Sequence, residues 1–434
     1  MLRFFRNRRA LVTPRRTYTP AERVELASRL ASNSIAFLGL YEGWQYFDGQ
    51  VANGFVAYER HCGVALACGE PIATPEDVSS LVEEFTAFCE EQGLRPAFAS
   101  SSRAFAQASS ERGWQCLKIG EEPWFDSETY APRGNSTKKV RSAANQGRNN
   151  GVTIEVVDEG CAPSPAAVIA MREVIDEWRS SRKVRALGFT LRLQPMTLAQ
   201  HKMILFAWQN GRLQAFLTCI PVPARNAVSV EDLIRRPSAP NGVSELLLLA
   251  AIESCRDRGI ARLTLGLAPL RAAATQPFGH RKVGRMLGSV GRHLNIFYDF
   301  RALGHFKAKF APTHWEDSYL VYPPHQLPRC ALALAAAFTP GRLGGIQTLF
   351  SRWRLRTAYP LLNRAASITS FAAVAAVGAF VAVNTPALTP FVIAERDFVR
   401  VAFGVGSQVR DHLYVDAFLA AGLGAAYLRS ARSG

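Results

Sequence analysis

The sequence contains no C-x-x-C pair and no His-x3–5-His motif. Its eight cysteines, Cys62, Cys68, Cys89, Cys116, Cys161, Cys219, Cys255 and Cys330, lie scattered with five or more residues between neighbours. Zinc sites draw their ligands from closely spaced pairs, so no metal is expected. Scattered cysteines in a long chain suit a reducing compartment, where they pack as small apolar groups. A secretory signal is also missing: the N-terminus, MLRFFRNRRALVTPRR, holds six arginines and no acid, and no apolar stretch follows it. Residues 1–17 read as a basic tail. Acids are absent between Glu128 and Glu155, and again between Asp317 and Glu395. Each gap leaves a positive stretch unopposed.

What is present is a chain of 434 residues, 48% apolar, with a net charge of +16. That length predicts two or three domains, and that apolar share excludes wholesale disorder. So basic a balance points to polyanionic partners, either nucleic acid or an anionic membrane surface.

Three regions follow the tail. In the first, residues 18–157, the segment 54–73 alternates like two strands around a turn. Residues 74–93 carry Val78, Leu81, Val82, Phe85 and Phe88 at helical spacing, with Gly93 as the stop, and 95–100 reads as a strand. The second region, residues 158–325, repeats this grammar. Residues 203–222 form a hairpin around Asn210-Gly211, 227–236 extend the sheet, 242–259 are a helix and 261–270 a strand. Two strand–helix–strand units of similar size predict an α/β (α+β) fold with a duplicated module. In the third region, residues 326–434, six arginines between Arg329 and Arg364 precede an uncharged stretch from Ala365 to Ala394. Residues 365–384 are long enough for a transmembrane helix, and the arginines before it predict a cytoplasmic N-terminal part. Ile346, Leu349, Phe350 and Trp353 share a helical face suited to the headgroup layer.

Six segments carry the chemistry: KIGEEPWFD (118–126), GNSTKKVRSAANQGRNNGVTIEV (134–156), EWRSSRKVRALGFTL (177–191), EDLIRRPSAPNGVSELLLLAAI (231–252), LTLGLAPL (263–270) and HFKAKFAPTHWEDSYLVYPP (305–324). In order and spacing they resemble the C-terminal domain of the phosphatidylglycerol lysyltransferase and alanyltransferase family, over about residues 20–324. The resemblance implies tandem GNAT-like acyltransferase domains, here followed by a hydrophobic helical tail. It implies transfer of lysine or alanine from aminoacyl-tRNA to the glycerol hydroxyl of phosphatidylglycerol. It also implies no metal, ATP or coenzyme A, and a place on the cytoplasmic face of the cytoplasmic membrane. The multispan flippase domain of the family is not matched, so lipid flipping is not expected. A different lipid acceptor stays open.

An acceptor alcohol must lose its proton, and a tetrahedral intermediate needs donors or cations. Asp232 and Arg235 match the family's D-L-x-R element and are expected close together at the end of a strand. Asp232 is then the candidate for the aminoacyl ammonium or the acceptor hydroxyl, and Arg235 for a phosphate; a structural ion pair is the alternative. Asn241, Gly242 and Glu245 match the start of the next helix, where they cap it or line the site. Lys307 and Lys309 share one face if FKAKF is a strand, and would hold phosphate or the oxyanion. Glu121 and Glu122 match a G-E-E element that holds the ammonium or pairs with Lys118. Lys138, Arg141, Asn145 and Arg148, with Lys139 beside them, make one basic helical face for tRNA, although phosphatidylglycerol suits it equally at this level. Two rivals remain. One is a coenzyme A-dependent GNAT acyltransferase, although its Q/R-x-x-G-x-G/A pyrophosphate turn is missing. The other is a membrane-tethered binder of RNA or anionic lipid.

Overall fold

Residues 16–181, 188–280 and 300–338 are described by the computed structural model. Tertiary contacts group the chain into a unit ending at Ser351 and a second starting at Arg352, and every described residue belongs to the first. The candidate span at 365–384 and the headgroup-layer helix lie outside the described residues. Among the described residues no helix is long and apolar enough to cross a membrane.

Helix α1 (Pro20–Leu30) starts from a capping box, with Thr19 and Glu22 satisfying each other's backbone N–H groups. Strands β1 (Gln45–Asp48), β2 (Gly54–His61) and β3 (Val64–Cys68) run antiparallel, and the two-residue strand β4 (Ile72–Ala73) pairs with β2. Helix α2 (Val78–Glu91) then crosses over, and β5 (Arg95–Ser101) lies parallel to β3. After α3 (Arg103–Glu111) comes the long strand β6 (Gln115–Asp126).

The second half repeats the pattern. Helix α4 (Lys138–Asn149), β7 (Thr153–Val157) and α5 (Pro165–Ser180) lead into the antiparallel strands β8 (Met203–Gln209), β9 (Arg212–Val222) and β10 (Ala227–Arg235). Asn210 and Gly211 make the β8–β9 turn with φ of 52° and 74°, the left-handed pair that a two-residue hairpin requires. Helix α6 (Val243–Asp257) crosses over and β11 (Arg262–Thr264) lies parallel to β10. Then follow β12 (Ala268–Pro269), α7 (Phe300–Ala308), β13 (His314–Tyr322) and α8 (Leu327–Phe338). Among the described residues the strands join in one 13-stranded mixed sheet, in which β13 sits between β5 and β6 and β11 connects β6 to β10. Strand β7 pairs with β8, and Gly147 of α4 packs on the start of α6. Residues 138–157 therefore stand with the second half of the sheet, not with the first, where the 157/158 boundary had put them.

Helices cover both faces. In the first half, α1 and α8 pack on one face, through Ala27, Cys330 and Ala333 against Phe55 and Leu66. Helices α2 and α3 pack on the other, through Leu81, Phe85 and Phe105 against Tyr58 and Phe98. In the second half α5 covers Ile204, Phe206, Phe216 and Ile234, while α4 and α6 cover Leu205, Leu217 and Val228.

Two expected elements differ. The strand read over 261–270 is two short strands, because the backbone turns away at Leu265, Gly266 and Leu267, with Gly266 at φ +69°. FKAKF is not a strand: Phe306 and Lys307 fall in α7 and Lys309 just after it. Residues two apart on a helix point to different sides, so the two lysines do not share a face.

Candidate active site

A β-bulge in β10 builds one half of the site. Val230 pairs with Cys219 and Asp232 with Thr218, which leaves Glu231 as the extra residue. The bulge changes the parity of the strand. Val228 and Val230 before it and Leu233 after it share the face under α4 and α6. Glu231 and Asp232 consequently both turn to the opposite face.

There Glu231 is buried and fully engaged. Lys202 Nζ donates to its Oε2 at 2.7 Å, Thr218 Oγ1 to the same oxygen at 3.0 Å, and Tyr41 OH to Oε1 at 2.7 Å. The Lys202 ammonium also lies 4.8 Å from the centre of the Tyr41 ring. Burial, and then the charge of Glu231, push the Tyr41 phenol well above its ordinary value. Asp232 sits beside this network with Oδ2 buried and without a hydrogen-bond partner among the described residues. Burial first, and the Glu231 charge second, push its carboxyl well above the usual carboxylate range, with Lys202 opposing.

The other half lies across the sheet. Ser229 of β10 stands opposite Thr264 of β11, which stands opposite Trp124 of β6. Two residues further along each strand β11 has ended, so Glu231 of β10 and Glu122 of β6 both lie beyond its end. Glu122 is buried and accepts from Ser34 Oγ at 3.0 Å. Burial pushes its carboxyl up to about 7, against the opposing pull of the Ser34 hydrogen bond and Lys307. Lys307 reaches into the gap after β11 from α7, and its Nζ donates to the carbonyls of Leu265, Gly266 and Leu267 at 2.6, 2.9 and 2.7 Å. Desolvation pushes its ammonium down to about 7, with Glu122 opposing. Arg225, stacked 4.0 Å from the Trp124 ring, forms a two-point ion pair with Glu316 of β13. One segment of the first half spans the seam, because Ser34 holds Glu122 and Tyr41 holds Glu231.

The other expected residues fall elsewhere. Asp232 and Arg235 are not an ion pair; their odd spacing in a strand puts them on opposite faces. Arg235 instead lines a cavity of about 310 Å³ with Trp178, Leu233, Pro237 and Ser244. Glu121 turns away from Glu122 and binds Lys118 at 2.7 Å and Arg271 at 2.9 Å. Glu245 pairs with Lys309 at 2.5 Å. Asn241 is exposed, and the N-cap position of α6 is Gly242, with no side-chain cap. Gly242 has φ +86°, and a Cβ there would stand 1.8 Å from the Ala143 carbonyl oxygen of α4. Its role is a close helix crossing. Lys138, Lys139 and Arg148 are exposed on α4, while Arg141 binds the carbonyls of Pro132 and Gly134.

Sequence reasoning missed Glu231, Lys202, Tyr41, Ser34 and Arg225. Glu231 was visible as an acid beside Asp232, directly after the apolar Val230. The other four carried no local signal. Among the described residues no group of three or more His, Cys, Asp or Glu side chains is arranged to hold a metal.

The model of one family, described as phosphatidylglycerol lysyltransferase, C-terminal, matches residues 23–322. The lysylphosphatidylglycerol biosynthesis bifunctional protein LysX of Nocardia farcinica is 28% identical over 294 residues, covering 67% of this chain and 26% of its own length. The phosphatidylglycerol lysyltransferase of Staphylococcus epidermidis is 26% identical over 281 residues, covering 64% of this chain and 33% of its own. The chain thus spans about a quarter to a third of the length of these curated relatives. Two solved structures share the fold. The C-terminal domain of a putative lysylphosphatidylglycerol synthetase from Agrobacterium fabrum aligns with a TM-score of 0.62 and 23% identity, over 74% of this chain and 99% of that one. L-PGS from Bacillus licheniformis aligns with 0.62 and 20%, over 77% and 97%.

Proposed function

The chain belongs to the family of the phosphatidylglycerol lysyltransferase C-terminal domain, and from that footing we propose that it transfers an aminoacyl group, lysyl or alanyl, from aminoacyl-tRNA to the glycerol hydroxyl of phosphatidylglycerol. In this reaction an ester bond to the tRNA ribose breaks and an ester bond to the lipid glycerol forms. The glycerol proton ends on the departing ribose oxygen. No net charge is created, so the work of the site is to orient the two substrates and relay one proton.

The observation that supports this reading best is the buried Oδ2 of Asp232, which has no hydrogen-bond partner among the described residues, beside the Glu231–Lys202 pair. An orphaned carboxyl oxygen in a dry site carries a desolvation cost, which an ammonium from the aminoacyl group would relieve. Asp232 thus receives the donor's amino group. Glu122, whose carboxyl titrates at about 7, suits the proton relay. Arg235, facing its cavity without an ion-pair partner among the described residues, suits the lipid phosphate. Lys307 has all three N–H bonds on backbone carbonyls, so it holds open the gap after β11 and does not bind phosphate itself. Because charged tRNA is cytoplasmic, this reading puts the catalytic seam on the cytoplasmic side of the membrane.

Coenzyme A chemistry fits less well. It needs a helix start open to pyrophosphate, whereas the backbone of α4 lies against Gly242 at the start of α6.

The test is thin-layer chromatography of lipids from cells expressing the chain, wild type beside Asp232→Asn, with a ninhydrin stain. An amino-positive derivative of phosphatidylglycerol made only by the wild type is expected. The same derivative at full level from Asp232→Asn would remove the role given to that carboxyl.

A further inference from the structure

We propose that the exposed face of α4 is a docking surface for the sugar–phosphate backbone of RNA, with Lys138, Lys139 and Arg148 as its phosphate contacts. The inference deepens the transferase reading and rests on it for the choice of RNA as the polyanion.

A basic helix can serve either a membrane or a nucleic acid, and the two make different demands on its exposed side chains. A helix lying in a lipid headgroup layer needs an apolar face to bury among the acyl chains. Helix α4 offers none. Its apolar residues Val140 and Ala144, with Gly147, are buried against the protein, and Ala143 is half-buried with its backbone against Gly242. Lys138, Lys139, Ser142, Asn145, Gln146, Arg148 and Asn149 are exposed, and none is apolar. Cations interleaved with amides and a hydroxyl match a solvated phosphodiester chain, whose phosphates, ribose oxygens and base edges both donate and accept. The face borders a groove of about 560 Å³ lined by Lys138, Arg141, Ser142, Asn145, Gln146 and Asn149. No acid interrupts the sequence between Glu128 and Glu155.

The surface is also rigidly placed. The Ala143 carbonyl lies against Gly242, and a Cβ on Gly147 would stand 3.4 Å from the Gly242 backbone. Two glycines therefore bring the α4 backbone onto the start of α6. A chain docked along α4 is led past Gly242 toward Ser244 and Arg235, which line the neighbouring cavity. Arg141 is excluded from the contacts. Its guanidinium holds the carbonyls of Pro132 and Gly134 at 3.1 and 2.8 Å and Thr137 Oγ1 at 2.9 Å, so it orders the approach to the helix.

The test is a fluorescence-anisotropy titration of uncharged tRNA with the full chain over a salt series. It compares wild type, the triple variant Lys138→Ala/Lys139→Ala/Arg148→Ala, and a control that removes three exposed cations elsewhere (Arg112→Ala/Arg172→Ala/Arg262→Ala). Three lost phosphate contacts lower the slope of log K against log salt by about 2–3 and weaken binding by on the order of tenfold or more. The control is expected to match the wild type. Unchanged affinity and slope in the triple variant would overturn the proposal. So would a triple variant that keeps tRNA but no longer sediments with phosphatidylglycerol vesicles. Loss of tRNA binding in the triple variant, when no aminoacylated lipid is made even by the wild type, supports the surface and removes the lipid acceptor instead.

Discussion

Replacing Lys202 by Met tests how the carboxylates at the bulge are tolerated. The side chains of Lys202 and Glu231 are 1% and 3% exposed and meet at 2.7 Å. Methionine fills a similar volume but removes the only cation that pairs with Glu231 among the described residues. Glu231 would keep the hydrogen bonds from Tyr41 and Thr218, which stabilise a charge without neutralising it. Breaking a buried pair from one side costs about 3–5 kcal/mol, because the remaining charge stays desolvated. Against a total stability of about 5–15 kcal/mol, that shifts the midpoint of urea unfolding far down. The double variant Lys202→Met/Glu231→Gln removes both charges and keeps an amide oxygen for Tyr41 and Thr218. It should recover about 2 kcal/mol or more, measured as the coupling in a double-mutant cycle. Asp232 tolerates the loss better, since burial already favours its protonated form. Urea unfolding followed by tryptophan fluorescence gives both numbers. A Lys202→Met variant within about 1 kcal/mol of wild type would mean that water reaches the pair, and the dry site described above would not stand.

Gly242→Ala forces a side chain into the left-handed region and against the Ala143 carbonyl; a loss of about 3 kcal/mol or more is expected in the same unfolding assay. Glu122→Gln should change the pH profile of stability. The folded carboxyl at about 7 holds its proton more tightly than the unfolded chain does at its ordinary 4.5. This contribution is therefore complete below about 4.5 and lost as pH rises to about 7, and the glutamine variant should lack that fall. A fall of equal size in the variant would assign it to another group. Arg141→Ala should lower stability by about 1–2 kcal/mol through the three lost hydrogen bonds and leave the salt slope of RNA binding unchanged. A slope reduced by about 1 would instead make Arg141 a phosphate contact.

Much of the fold was legible because it follows from neighbours in sequence. Asn210-Gly211 sets the 203–222 hairpin because two adjacent residues suffice to make the turn. Apolar spacing over 74–93 and 242–259 gives α2 and α6, because a helix repeats one local geometry. FKAKF defeated the same reasoning, since a five-residue alternation is too short to separate strand from helix. The motif singled out Asp232 as a candidate, but its surroundings were not legible. A single extra residue in β10 inverts the parity of the strand and turns Glu231 and Asp232 to one side. Tyr41 then reaches Glu231 across 190 residues, and Lys202 across 29. What the sequence determined alone is the locally encoded elements, such as the 203–222 hairpin and the helices over 74–93 and 242–259, and the family they spell. Which acids stay buried, which cations answer them and which stay free for a partner was decided by strand register and helix crossing, because a charge is neutralised by whatever the folded chain brings within about 4 Å of it, however far away in sequence.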